Sequence, residues 1–165
     1  MDTRATSLLN DGAIGRGPIT HHWELDVYRL GMELAVEIFQ ETKVWPAEEK
    51  FSLTDQLRRA ARSIGAQIAE SWAKRRYEKH FVAKLSDADA EQMETQHWLE
   101  TAKDDGYLPA AEHARLVGLC EEIGRMLGSM MENSTSFCGD SAFREEPPPY
   151  CCSQPDATPP LPTDH

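Results

Sequence analysis

Four amphipathic stretches between Trp23 and Asn133 predict an all-α chain, an antiparallel up-down-up-down four-helix bundle. In each of them apolar residues return every three or four positions. The links between them are short, the first and third marked by proline or glycine, and both ends of the chain lack this period. With 165 residues the chain has room for one core and loose ends, so we expect a disordered arm over 1–21, a bundle over 22–135 and a disordered, proline-rich tail over 136–165.

The first helix is expected from about Glu24 to Lys43. Asp26, Arg29, Glu33, Glu37 and Gln40 trace its wet stripe. Val27, Leu30, Leu34, Ala35 and Ile38 lie opposite, widened by Tyr28, Met32 and Phe39. Trp45-Pro46 ends it, because a residue before proline avoids the α region. Ser52 and Asp55 have the spacing of a capping box and open the second helix, whose buried stripe is Leu57, Ala60, Ala61, Ile64 and Ile68. Small residues (Ala60, Ala61, Gly65, Ala66, Ala69) allow another helix to come close.

A break is predicted around Lys74-Arg75-Arg76. The third helix, about Glu78 to Asp104, carries Phe81, Leu85, Ala88, Thr95, Trp98, Leu99 and Ala102, interrupted by Asp87, Asp89, Glu91, Gln92 and Glu94. Gly106 is placed just past its end. Pro109 suits the first turn of a fourth helix with Leu116, Leu119, Cys120, Ile123, Leu127 and Met130 inside. Gly118, Gly124 and Gly128 imply either close packing there or a weaker helix.

Charge and composition narrow the function classes. The net charge is −11, but the segment from Lys50 to Lys84 holds nine Lys/Arg against three carboxylates, a local +6. The rest of the chain holds eight against 25, or −17. No stretch has the run of about 18 apolar residues that a membrane helix needs, and Met1 to Pro18 lacks the apolar core of a secretory signal. Cys120, Cys138, Cys151 and Cys152 show no C-x-x-C spacing, and two of them are adjacent, so reduced thiols and a cytoplasmic location are expected.

Arg58, Arg59, Arg62, Lys74, Arg75, Arg76 and Lys79 form the candidate nucleic-acid-binding set. Cations gain affinity for polyphosphate through counterion release, and arginine adds bidentate contacts. Trp72 and Tyr77 lie within the segment and could stack on bases. The competing reading has Arg58, Arg59 and Arg62 paired with acidic helices, within or between protomers, and Trp72 and Trp98 acting as packing anchors. Asp87, Glu91, Glu94 and His97 raise a metal hypothesis, since Glu94 and His97 have the Glu-x-x-His spacing of carboxylate bundles. No second such motif exists, and a polar network is the alternative. There is no Gly-x-Ser-x-Gly elbow and no glycine-rich phosphate loop, Cys120 falls on an apolar stripe, and His21-His22 sit at the edge of the arm. A non-enzyme with no metal or cofactor is expected.

Leu53, Gln56, Arg59-Ala60-Ala61, Ser63-Ile64, Ala66 and Ile68-Ala69-Glu70 together resemble the signature of the 23S rRNA intervening-sequence proteins. Lys84-Leu85-Ser86-Asp87-Ala88, Glu94-Thr95-Gln96, Trp98-Leu99 and Gly106-Tyr107-Leu108 resemble a variant branch of that family. The resemblance covers about Trp23 to Cys138. It implies a bacterial four-helix protomer able to form a ring-like homopentamer, often encoded within insertions in ribosomal RNA genes and mostly without an assigned activity. One branch serves reverse transcriptases of diversity-generating retroelements, with a basic surface toward nucleic acid. The partners it implies are a second copy of the chain and RNA, DNA or a nucleic-acid enzyme, with no membrane. The chain departs from the commoner pattern at Gln67 and Ser71, where relatives carry Asn and Gly. It also has Asp87-Ala88-Asp89-Ala90-Glu91 where an Arg-Gly-Ser segment is usual.

Overall fold

The structure, a computed structural model, describes residues 18–138. Four long helices account for most of it: α1 (Asp26–Glu41), α2 (Leu53–Lys74), α3 (Glu78–Asp104) and α4 (Ala110–Glu132), followed by a short α5 (Ser134–Cys138). Among the described residues there is no β-strand. The expectations for the arm before residue 18 and the tail beyond 138, including Cys151 and Cys152, lie outside the described residues. At the tail boundary α5 continues past the predicted end of order, and buries Ser134 and Cys138.

Contacts at two levels run in opposite order along α1 and α2 and along α3 and α4, as an antiparallel bundle requires. From α1 to α2, Gly31 meets Ile64 while Thr42 meets Arg58. Lys84 reaches back to Gln67 and Glu70, joining α3 to α2. His113 of α4 lies beside Glu100 of α3, and Gly124 beside Gln92. Arg115 of α4 pairs with Glu37 of α1, which closes the ring of four. Inside it, Leu34, Ile38, Leu57, Ile64, Ile68, Phe81, Leu85, Leu99, Leu116, Ile123 and Leu127 are almost wholly shielded from solvent. They are the stripes read from the period, and a fully buried Leu, Ile or Phe stabilises the fold by roughly 1.5–3 kcal/mol.

The helix ends differ from expectation in places. α1 is flanked by 3-10 turns at His22–Glu24 and Thr42–Val44. Glu24 folds back to accept the backbone N–H groups of Thr20 (2.7 Å) and His21 (3.0 Å), and these bonds hold its carboxyl below the usual range. The Ser52–Asp55 box does not form. Ser52 donates its hydroxyl to Glu49, and the Glu49 carboxylate also takes the Leu53 N–H. A full negative charge is a stronger partner than a hydroxyl for the positive end of a helix, so Glu49 displaces the predicted cap. At the end of α3, Gly106 adopts φ 79°, and the N–H groups of Gly106 and Tyr107 return to the carbonyls of Lys103 and Ala102 in a Schellman motif.

Two side chains depart from the predicted faces, Met32 outward and Gln92 inward, while Thr95 is buried as predicted. Met32, predicted to widen the buried face of α1, is 44% exposed. In α3, Gln92 and Thr95 point inward: Gln92 donates to Asp89 (3.0 Å) and accepts from Gln96 (2.7 Å), and Thr95 bonds the Glu91 carbonyl (2.8 Å). A Cβ on Gly124 would stand 3.0 Å from the Gln92 amide nitrogen, so α4 closes onto this polar layer because that position has no side chain. Cys120 is a core residue as predicted, and burial pushes its thiol up to about 12.

These environments predict opposite signs for three glycine substitutions. Gly106→Ala should lower unfolding free energy by about 1–2 kcal/mol from backbone strain alone, because no atom lies near its Cβ direction. Gly118→Ala and Gly128→Ala, in open space within α4, should each raise it by about 0.5–1 kcal/mol. Urea unfolding monitored by circular dichroism measures all three.

Candidate nucleic-acid interface

The candidate cations occupy α2, the turn after it and the start of α3. Arg58 and Arg62 stand one turn apart on α2 and converge on one ring of α1. Their guanidinium carbons lie 4.8 Å and 5.7 Å from the centroid of Phe39. Arg58 Nε also donates to Thr42 Oγ1 at 2.7 Å, and that hydroxyl in turn donates to the Ile38 carbonyl oxygen at 2.7 Å. The Arg58 head group is therefore held from below by an aromatic face and at its edge by a hydrogen bond. Arg59 points the other way, toward α3, where its charge acts on Glu91.

Lys74, Arg75, Arg76 and Lys79 lie at the far end of α2. Twelve residues separate Arg62 from Lys74, about 18 Å along the axis and about 120° around it. The basic segment that is continuous in sequence is thus two clusters in space. In the second, Arg75 is half-buried: its guanidinium stacks on Trp72 at 4.3 Å and donates to the Trp72 carbonyl oxygen at 2.7 Å. Lys74 and Lys79 are exposed.

Base stacking on Trp72 is overturned. The residue continues the Ile64–Ile68 stripe one turn on, is 7% exposed, and donates its indole N–H to the Thr20 carbonyl oxygen at 3.2 Å. It is a packing anchor that ties the entry segment to α2. Tyr77 is half-buried, with its ring 5.6 Å from that of His80. Trp98 packs against the core and donates to Glu94 (3.1 Å).

Cations elsewhere are neutralised differently. Arg29, Lys84, Lys103, Arg115 and Arg125 all lie against carboxylates of this chain. Among the described residues, no carboxylate comes within ion-pair distance of Arg58, Arg59 or Arg62. Ion pairing among the described residues therefore does not consume these three.

The α3 carboxylates serve the fold. Asp87 and Glu70 both bind Lys84, at 3.0 and 3.1 Å, and hold its ammonium charged beyond its usual range. Burial pushes the Glu91 carboxyl up, Glu94 and Asp87 add to this, and Arg59 opposes it. His97 is exposed and packs its ring against Trp98 at 4.7 Å. Among the described residues, no three His, Cys, Asp or Glu side chains converge on a metal position. No described helix is long and apolar enough to cross a membrane.

A family model described as the 23S rRNA-intervening sequence protein matches residues 23–129, which spans α1 to nearly the end of α4. The chain belongs to this family. Of the residues that carry the resemblance in this chain, Leu53, Ala60, Ala61, Ile64 and Ile68 line the core, and Gly106-Tyr107-Leu108 forms the Schellman end of α3. The chain is also similar to a crystal structure of a protein with unknown function from the S23 ribosomal protein family of Bacteroides thetaiotaomicron VPI-5482. Identity is 29%, with 64% of this chain and 95% of that chain covered and a TM-score of 0.58. A search of curated proteins finds no match. Gln67 and Ser71 are both accommodated structurally. Gln67 accepts from Lys84 (3.1 Å), and the buried Ser71 hydroxyl donates to the Ile68 carbonyl oxygen (2.7 Å).

The raised Glu91 carboxyl has a pH consequence. The folded chain binds that proton more tightly than the unfolded chain, so ionising Glu91 costs stability as pH rises through its folded value, and costs nothing in acid where both states are protonated. Glu91→Gln should therefore raise Tm relative to the native protein at pH 7, with the difference shrinking toward pH 4. Thermal melts at the two pH values check this, and a difference that grows in acid would contradict it.

Proposed function

We propose that this chain is a non-enzymatic, homo-oligomeric bundle that docks a nucleic acid, RNA or DNA, through the arginine face of α2. The observation that carries the reading is the contrast in pairing. The chain is strongly acidic, yet Arg58, Arg59 and Arg62 have no carboxylate at ion-pair distance among the described residues, while Arg29, Lys84, Lys103, Arg115 and Arg125 do. Arginines without carboxylate partners on an otherwise acidic molecule give a polyanion a place to settle, and counterion release then favours binding.

Self-association has support next to these arginines. Met32 (44% exposed) and Val36 (54% exposed) sit four apart on α1, one turn before Phe39. Arginine, methionine and aromatic residues are the types enriched in protein interfaces. The same patch favours a second reading, a purely structural oligomer in which these arginines meet carboxylates of a neighbouring copy and no nucleic acid binds.

One pair of measurements separates the readings. Solution mass by light scattering is taken with and without RNA, and RNA and DNA retention is followed across a salt series. The triple variant Arg58→Gln/Arg59→Gln/Arg62→Gln should keep its mass and lose retention, its slope of log Kobs against log salt falling by about 2–3 as three phosphate contacts go. A variant that loses its mass instead favours the structural oligomer, and native protein that retains no RNA or DNA at low salt removes the nucleic-acid half.

A further inference from the structure

We infer that Arg58 and Arg62, seated on Phe39, form a preorganised phosphate clamp, so that the nucleic-acid contact is a built site in the middle of the bundle rather than diffuse attraction to all seven cations. The inference rests on the nucleic-acid reading and goes further, naming the two residues that grip and the group they take.

The arrangement carries an electrostatic cost. Two guanidinium groups of α2 share one aromatic ring, at 4.8 and 5.7 Å from its centroid, with the Lys43 ammonium also 4.9 Å from it and no carboxylate of the described residues at ion-pair distance of either arginine. Like charges brought together repel, and the ring quadrupole offsets only part of that. An anion bridging the pair would offset the rest. Restraint is the second element. A free surface arginine loses side-chain freedom when it binds, whereas Arg58 is already half-buried, stacked and tied through Nε to Thr42 Oγ1. That bond uses the Nε edge and leaves the two terminal nitrogens of the fork for a ligand. Thr42 is itself buried and anchored to the Ile38 carbonyl oxygen, so the position of the head group is set by the end of α1.

The ligand class follows from the donor geometry. A planar fork of N–H groups suits the oxygens of a phosphate, which accept two parallel bonds from each guanidinium. Backbone phosphates of a nucleic acid strand supply such groups in series. The other cluster lacks this build: Arg75 spends its guanidinium on Trp72, and Lys74 and Lys79 are exposed ammonium groups that act as point charges.

A charge-conserving substitution tests the clamp. Arg58→Lys/Arg62→Lys keeps both charges but loses the forks, and Phe39→Leu keeps both arginines but removes their platform. Each should weaken nucleic-acid binding about tenfold at fixed salt, the first with the salt slope unchanged, in protein whose circular dichroism and melting match the native. Lys74→Gln/Lys79→Gln should lower the slope by less than 2 and leave the clamp intact. Native-like affinity in the Arg→Lys variant overturns the inference while leaving the broader nucleic-acid reading in place.

A second measurement does not depend on nucleic acid at all. Inorganic pyrophosphate is titrated into 15N-labelled native protein while the arginine Nε–H resonances are followed. Selective shifts at Arg58 and Arg62 support the clamp even if no RNA or DNA is retained. Shifts spread evenly over all arginines, or none, overturn it.

Discussion

The buried stripe of α2 is the constraint on which the rest of the molecule depends. Leu53, Leu57, Ala60, Ala61, Ile64, Ile68 and Trp72 are all buried, and they face α1 on one side and α3 on the other. Once that stripe is turned inward, the opposite side of a 3.6-residue helix must face solvent, which is where Arg59, Arg62, Ala66 and Glu70 are found. Arg58 falls at the border. Its stem runs along the α1 contact and its head emerges over Phe39, as a long cationic side chain at the edge of a core does. The position of the arginines is thus a consequence of the core.

Polar groups inside the bundle are satisfied locally. Thr42, Ser71 and Thr95 each return a hydroxyl proton to a carbonyl three or four residues back, and Gln92 lies between Asp89 and Gln96 on its own helix. None of these four depends on another helix for its first hydrogen bond, so this layer carries no costly unpaired group; the buried His113 is the exception, its Nε2 meeting only the Glu100 carboxylate of α3. Between helices the ties are charged and lie near the surface: Lys84 to Glu70, Arg115 to Glu37 and His113 beside Glu100. Exposed pairs of this kind contribute little each, so they set register and leave most of the stability to apolar burial.

Family membership acquires a physical meaning here. Most signature residues are accounted for by packing or by a helix end: the alanines and isoleucines of α2, the Lys84–Asp87 pair, the Glu94–Trp98 bond and the Gly106 turn. They say why these chains share a bundle. Arg59 and Ala66 are signature positions exposed on α2 that the core does not explain. The acidic run that replaces the commoner Arg-Gly-Ser segment spends Asp87 on Lys84 and Asp89 on Gln92, so it is part of the scaffold on this chain.

By itself the sequence determined what is local: four helices, the bounds of α3 to the residue, the Gly106 stop, the inward stripes and the place of Cys120 in the core. Helical period and chain stops are properties of neighbours along the chain, so they can be read before any partner is known. Tertiary structure decided what depends on the rotation and approach of separate helices. It split one basic segment into two clusters and seated Arg58 and Arg62 on the ring of Phe39, which belongs to the preceding helix. It also buried Trp72, exposed Met32, turned Gln92 inward against Gly124 and let Glu49 take over the cap expected of Ser52. Each of these outcomes is set by which atoms of a second element arrive within a few ångströms, and no periodicity along a single stretch encodes that.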